Sequence, residues 1–560
     1  MFEEADNFAD IFRGGLPYYL LITLPILIIC SSNPVLASSE FTVQRMSQFD
    51  VNGVPYGCRA SALTLEAKSL YSWGTSRHCV VTKFQDMTID QFREIRQKAG
   101  GLVILLPNNI ASLSAEEKEH LILLEQAMLA QVSSIPVYFS TYNKDLDQVI
   151  TDITKASDAS KAAQQAASAG KIERPSALSE LLNMISANGY QIVVSGASHA
   201  ASKQSKIPII QGELAPTKNM KAAEIEVNTK LPLIIITSHL NTFGLYNDYP
   251  LNADTAVLLT LADLFSKLHN TVNTAPKFRL MFLLSESGSF LNFQGVKKWL
   301  DENVQLQNVD FVLCLDTITQ ALNTESGAMY MHVSKPPKEG TAMNNFYKLL
   351  KSVGQQHNNI TVDGVHKKIN LADVQLAWEH ERFSMKRLPA FTLSSLKSPK
   401  EPVRTTTFKD DTNKILSSTQ QNTKVIAETL ARYIYNVEEG EIFSGAIDIN
   451  KNLINSWINI KSLQHNNDLK NAFEKYLKNV KIVYDKPDVR EPDFMLYEGQ
   501  EANLYVYRVK PAVFDLFLTI LIAAYLTSVY FFIQHFPALY TLICKMTKNI
   551  APSTSKVKLN

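Results

Sequence analysis

Three apolar runs between Leu231 and Asp316 constrain the fold of this 560-residue chain more than any other feature. Leu233 to Thr237 leads into His239, Arg279 to Leu284 into Glu286, and Asp310 to Leu315 into Asp316. Between the first two runs, Ala253 to Leu268 repeats apolar residues every three or four positions, as an amphipathic helix does, and Phe290 to Leu300 is a second helical stretch. Strand, helix, strand, helix, strand predicts an α/β fold with a parallel sheet. In open sheets of that kind the site lies at the carboxyl ends of the strands. His239, Glu286 and Asp316 all fall there. A single polar residue after a buried strand is ordinary turn chemistry; three metal-capable types in succession make these strand ends the candidate site.

The order His239, Asp254, Glu286, Asp316 resembles the M28 family of zinc aminopeptidases. In that family a His-x-Asp, a Gly-Ala-x-Asp-Asn turn, a Glu-Glu-x-Gly and a Leu-Asp supply a two-zinc site. Longer strings are similar, over most of the chain, to nicastrin-related members of the family: EFTVQRMSQFD, HVSKPP, AWEHERF with RLPAFTLS, and YRVKPAVFDL. The resemblance implies an α/β fold with an aminopeptidase-like mixed sheet flanked by helices. It also implies an N-terminal protease-associated-like α/β region and one C-terminal transmembrane helix.

Carried over residue by residue, the resemblance implies a dismantled site. His239 and Asp316 match ligand positions, and Glu286 matches the second glutamate of the Glu-Glu pair. The first glutamate, the base that activates water, is Ser285, and losing a general base costs about 10²- to 10⁴-fold in rate. Asn241 stands where an aspartate would orient the imidazole, a kind of partner worth roughly 10- to 100-fold. At the bridging position two alignments are open: Thr255 occupies it, or a shift of one residue puts Asp254 there. The final histidine is expected after Ala390 to Leu393, where Ser394, Ser395, Leu396 and Lys397 stand; His380 comes too early. A catalytic zinc takes about three protein ligands and an open position. The expectation is therefore a pseudoenzyme with no catalytic residue, metal or cofactor, and the alternative is a single weak metal site of His239, Glu286 and Asp316.

A net charge of +1 with 19% charged residues carries no nucleic-acid footprint, so no direct nucleic-acid partner is expected. Of five cysteines none shows zinc-finger spacing. Cys58 and Cys79 are the pair an oxidising compartment would allow, whereas Cys314 lies in a buried strand run.

Leu16 to Cys30 has the length of a signal-peptide core, followed by Val35, Leu36 and Ala37 ahead of a cleavage point at Ser38. Four acidic residues precede it against Arg13 alone, so an uncleaved anchor is the competing reading. Residues 38–215 form the N-terminal region, with strand, helix and strand at Gly101 to Leu106, Ala115 to Val132 and Ile135 to Ser140. Lys155 to Lys171 is a solvated connector or exposed helix. Gly196-Ala197-Ser198-His199-Ala200 imitates a nucleophile elbow but feeds no helix. The peptidase-like domain spans residues 216–440, ending in a helix from Lys414 to Val437. Residues 441–512 form a membrane-proximal region, with Lys481 to Asp493 as an exposed connection. Asn359-Ile360-Thr361 is a glycosylation sequon at Asn359.

Residues 513–536 are uncharged over most of their length and long enough to cross about 30 Å of hydrocarbon, with membrane lipid as neighbour. Lys545, Lys548, Lys556 and Lys558 follow, against Arg508 and Lys510 before, so the 537–560 tail is expected in the cytosol and the bulk of the chain in the lumen. The resemblance implies a single-pass type I protein of the endoplasmic reticulum. It further implies a complex with nodal modulator (NOMO) and a small multi-spanning membrane protein at the ribosome-associated Sec translocon, assisting multi-pass membrane protein insertion. The alternatives are an active membrane-anchored metallo-aminopeptidase and a nicastrin-like substrate receptor.

Overall fold

The alternation around His239 produces the sheet it predicts. The computed structural model describes residues 39–168, 189–195, 206–214, 231–240, 244–246, 252–271, 276–303, 306, 308–319, 327–357, 360–373, 375–408, 412–460, 465–488, 490–497, 501–509 and 512–550. The signal segment, Asn241, the Gly196 to Ala200 string and the Asn359 sequon position lie outside the described residues. The chain divides into two compact units, one of residues 41–151 and 194–504, the other of 1–40, 152–193 and 505–560.

In the first unit the N-terminal lobe holds β1 (Ser39–Arg45) from Phe41 onward, β2 (Leu63–Lys68), β3 (His78–Lys83), β4 (Gly101–Leu105) and β5 (Val137–Ser140). Strands β2, β3, β4 and β5 are parallel in that order, and β1 pairs antiparallel with β5. Helices α1 (Ile89–Lys98) and α2 (Ala115–Leu129) link the parallel strands. Both start in capping boxes, Thr88 with Gln91 and Ser114 with Glu117, which satisfy amides that helix geometry leaves orphaned. Cys58, Cys79 and Cys314 are buried free thiols; the Cys58 thiol donates to the carbonyls of Ala60 and Ile135 instead of pairing with Cys79.

The same unit contains an eight-stranded sheet. Its strands are β6 (Ile207–Glu213), β7 (Leu233–His239), β8 (Arg279–Ser285), β9 (Val309–Leu315), β10 (Ala328–Val333), β11 (Thr361–His366), β12 (Ala390–Ser394) and β13 (Lys478–Asp485). The order is β11-β10-β12-β9-β7-β8-β6-β13. The central β12, β9, β7 and β8 are mutually parallel, while β6 runs antiparallel to β8 and β10 to β12. Strands buried on both faces have continuous apolar sequences, and β7 is buried at every residue. Successive side chains leave on opposite faces. Ile234 and Ile236 accordingly join one core with Phe282 and Leu313, and Leu233 and Ile235 join another with Leu283 and Val312.

The crossover helix between β7 and β8 runs Ala253–Thr271 and packs into the first of these cores. The segment after β8 departs from the continuous helix expected from Phe290. A single 3-10 turn, Ser289–Leu291, is broken by Asn292 and Phe293 at φ +50° and +51° before helix Gln294–Glu302 begins. The break seats Phe293 in the interior, its ring edge against His239 with centroids 5.2 Å apart. The second departure is at Lys481–Asp485, expected as an exposed connection. These residues pair antiparallel with β6 and extend the sheet, and their mixed polar pattern suits an edge strand with one solvated side.

The second unit contains residues 152–168 of the helix Lys144–Ser168 and a 39-residue helix, Ala512–Ile550. Within the latter, Leu516–His535 is 20 residues of apolar sequence with none buried, a length of about 30 Å at 1.5 Å per residue. Tyr190 donates its hydroxyl to Asp152 at 3.2 Å.

Candidate functional site

Parallel pairing brings the ends of β7 and β9 side by side, and with them His239 and Asp316. His239 Nε2 lies 3.8 Å from Asp316 Oδ2, and His239 Nδ1 lies 3.6 Å from Glu379 Oε2. At those separations the contacts are charge pairs, longer than hydrogen bonds. All three side chains are buried, at 2%, 1% and 0% exposure for His239, Asp316 and Glu379. Thr237 fixes Glu379 by donating its hydroxyl at 3.0 Å. Burial disfavours the charged imidazolium of His239, but Asp316 and Glu379 together outweigh it and raise its pKa.

Asp316 is held by a residue 88 positions away. The Arg404 guanidinium donates from Nη2 to Oδ2 at 2.6 Å, and from Nε to Oδ2 and Oδ1 at 3.2 and 3.3 Å. Burial raises the Asp316 pKa, yet Arg404 and then His239 bring it below the ordinary carboxylate range. Arg404, 7% exposed, lies over the Trp378 ring at 4.3 Å. Trp378 also stacks with His332 at 4.2 Å. Burial lowers His332 to about 4, and burial together with His332 lowers His380 to about 3.

Asp254 opens the crossover helix and braces the loop after β9. Its Oδ2 accepts from the Thr317 amide at 2.7 Å and its Oδ1 from the Ile318 amide at 2.8 Å. These bonds hold Thr317 at φ +52°, a conformation that β-branched residues avoid. Ser395 bonds the Thr317 carbonyl from the other side, through its amide at 2.9 Å and its hydroxyl at 2.6 Å. Burial and the neighbouring Asp316 charge push Asp254 up to about 6. Thr255 is turned inward, its hydroxyl donating to Asn252, whose amide reaches the His239 carbonyl at 2.8 Å.

Register decides what stands beside His239 on β8. His239 pairs with Ser285, so Glu286 comes one residue past that level, with its amide bonded to the Pro208 carbonyl. The Ser285 hydroxyl is shared with Ser287 at 2.9 Å. Gly295 closes the space around it: a Cβ built there would lie 2.4 Å from Ser285 Oγ. At the position expected for the last histidine, Leu396 is buried and its carbonyl bonds His332 Nε2 at 2.8 Å.

The structure thus gathers His239, Asp254 and Asp316 at one end of the sheet and adds Glu379, Arg404 and Trp378, which were not expected. Trp378 and Glu379 lie within AWEHERF, the string that carried the family resemblance; Arg404, in an unremarkable loop, gave no signal. The donor set does not fit a metal pair. Both Asp316 oxygens bond Arg404, both Asp254 oxygens bond backbone amides, and among the described residues no three His, Cys, Asp or Glu converge to hold an ion.

This fold has solved counterparts. The crystal structure of the gamma-secretase component nicastrin aligns with a TM-score of 0.53 over 85% of this chain and all of that one, at 9% identity, a likeness of fold alone. No protein-family model matches the chain. The class is therefore that of mixed-sheet α/β proteins with a nicastrin-like fold, with an apolar helix near the C-terminus. Human BOS complex subunit NCLN is 36% identical over 98% of this chain and 99% of its own length. Nicalin of Caenorhabditis elegans is 26% identical over 95% and 97%. The chain belongs to the nicalin family.

Proposed function

We propose that this chain is a non-catalytic scaffold of the endoplasmic-reticulum membrane, a subunit of a BOS-type complex. The observation that carries the loss of catalysis is Ser285. It stands level with His239 where a water-activating carboxylate is needed, its hydroxyl is shared with Ser287, and Gly295 packs against it. A serine in that setting has no capacity to take a proton from water at neutral pH. His239, Asp254, Glu286 and Asp316 are then remnants of a metal site, with Asn241, Thr255, Ser285 and Leu396 as the substituted positions. No metal or cofactor takes part.

Relatives named as BOS complex subunits over nearly their whole length support complex membership. The exposed apolar helix Leu516–His535 supports a single crossing of the bilayer. In this reading residues 1–37 are a cleaved signal, 38–215 and 216–440 the two lumenal parts of the scaffold, 441–512 its membrane-proximal region, and 537–560 a cytosolic tail. Asn359 carries a glycan in the lumen. The partners are NOMO, a small multi-spanning membrane protein and the ribosome-associated Sec translocon, and the work is insertion and assembly of multi-pass membrane proteins.

The test uses the full-length chain in mild detergent with added zinc, assayed on amino-acid amides and analysed for co-purifying proteins. We expect no turnover above the detergent blank, and recovery of translocon components. Zinc-dependent turnover abolished by His239→Ala would overturn the non-catalytic reading. Recovery of secretase subunits in place of translocon components would replace the scaffold with a substrate receptor.

A further inference from the structure

We infer that Arg404 is the resident cation of this site: its guanidinium, fixed between Asp316 and the Trp378 ring, does permanently the charge-balancing that a metal ion would otherwise do. The inference deepens the non-catalytic reading of the same site and rests on it.

The charge inventory motivates it. Asp316, Asp254 and Glu379 are carboxylic acids at 1%, 4% and 0% exposure around one imidazole. An ionised carboxylate at such depth is costly unless a cation meets it closely and its remaining lone pairs are bonded. Arg404 meets Asp316 from two nitrogens while the Thr317 hydroxyl bonds Oδ1 at 2.9 Å. Guanidinium suits this task better than ammonium. It is planar, matches two carboxylate oxygens at once, stacks on an aromatic face and keeps its charge at every physiological pH. The stack on Trp378 supplies the apolar side of the slot, a cation–π contact worth most where water is excluded.

The segment delivering Arg404 is itself pinned, so the cation arrives oriented. On the near side Nη1 donates to the Pro399 carbonyl at 3.3 Å, and Pro402–Arg404 forms a 3-10 turn. On the far side Thr406 and Thr407 donate their hydroxyls to Glu125 of α2, the Thr407 amide adds a bond of 2.9 Å, and Phe408 packs on Phe84 with centroids 5.3 Å apart. Glu125 is therefore a positioning residue for Arg404: the N-terminal lobe holds the strap whose other end closes the old strand-end site. A metal ion could share this seat only by displacing a guanidinium tied at both ends.

The test is thermal unfolding of the full-length chain in detergent, followed by tryptophan fluorescence, for wild type, Arg404→Ala and Arg404→Lys. Each is measured with a chelator, with zinc, and with millimolar methylguanidinium against equal sodium chloride. Wild type should melt at one temperature under all four conditions. Arg404→Ala should melt roughly 5 °C lower and recover part of the loss with methylguanidinium but not with sodium, because the vacated slot over Trp378 has the shape of that cation. Arg404→Lys should fall between, since one ammonium cannot bond both oxygens. If Arg404→Ala does not fold, the same comparison is read from Arg404→Lys, with methylguanidinium again expected to outdo sodium.

Three results would each overturn the inference: zinc raising and chelation lowering the wild-type melting temperature, an Arg404→Ala melt equal to wild type, or sodium rescuing as well as methylguanidinium. None of these requires hydrolysis. Turnover of amides with the thermal pattern intact would sink the non-catalytic reading instead, so the two failures are told apart.

Discussion

Two regions of the larger unit end parallel strands in the same way and fill the space beyond them differently. Past β3, β4 and β5 of the N-terminal lobe lies a cavity of about 290 Å³, lined by Lys83, Leu105, Asn108, Asn109 and Tyr142. Past β7 and β9 of the large sheet, a cavity of about 80 Å³ is left beside Asp254, Thr317 and Arg404. In the first, the charged residue at the strand end is balanced where water reaches it: Lys83 pairs with Asp147, 64 residues further on, at 2.6 Å, both partly exposed. In the second, Asp316 is balanced by Arg404, which a strap brings back from 88 residues away and which fills the space it enters. The comparison teaches that parallel-sheet topology provides the opening, and that a returning segment decides whether it stays open.

The sharpest way to break this contrast is to remove the buried charge. Asp316→Ala removes the carboxylate that Arg404 bonds and one of those facing His239, and the unfolding free energy of the full-length chain should fall by about 3–5 kcal/mol in denaturant titration. Loss within about 1 kcal/mol would mean that the strap is held by packing alone.

A middle-sized effect is expected at the strap's anchor. Glu125→Ala removes an acceptor of three hydrogen bonds from the interior and should cost about 1–3 kcal/mol. Burial pushes the Glu125 carboxyl up to about 7, against the pull of those bonds. Because the folded value lies above the unfolded value of about 4.5, the folded state binds the extra proton between them. The stabilisation linked to that proton is full below the unfolded pKa and is lost as pH rises through about 7. Melting curves across that window should show this decline in wild type and its absence in Glu125→Gln; parallel declines in both would assign it elsewhere.

The smallest effect belongs to the open region. Lys83→Met breaks a pair that water screens, and the change should stay below about 1 kcal/mol in the same titration. A loss as large as that of Asp316→Ala would erase the distinction between the two regions.

Reading the chain without coordinates went furthest where a pattern is local. The periodicity of Ala253 to Leu268 becomes the helix Ala253–Thr271, and the apolar run before His239 becomes β7, because side-chain period and solvent separation act over a few residues. The reading failed where a local pattern was overruled by packing. Asn292 and Phe293 take left-handed conformations inside a helical pattern so that Phe293 can bury against His239. Lys481–Asp485, polar enough to read as a connection, gains backbone partners as the sheet's edge strand. At the site, strand ends are visible in sequence, so His239 and Asp316 were legible. Glu379 and Trp378 sat unassigned inside a familiar string, and Arg404 had no periodicity or motif to mark it.

The residue types determined by themselves that no carboxylate occupies position 285, that an apolar stretch without charge runs from Leu516 to Ile533, and that strand ends would gather a histidine and acids. Only the tertiary structure decided that Asp316 answers to Arg404 and that Asp254 braces the Thr317 loop. The physical reason is range. Propensity and amphipathicity are written in neighbouring residues, whereas a buried charge takes whichever partner the folded chain brings within about 3 Å, and sequence separation has no bearing on that distance.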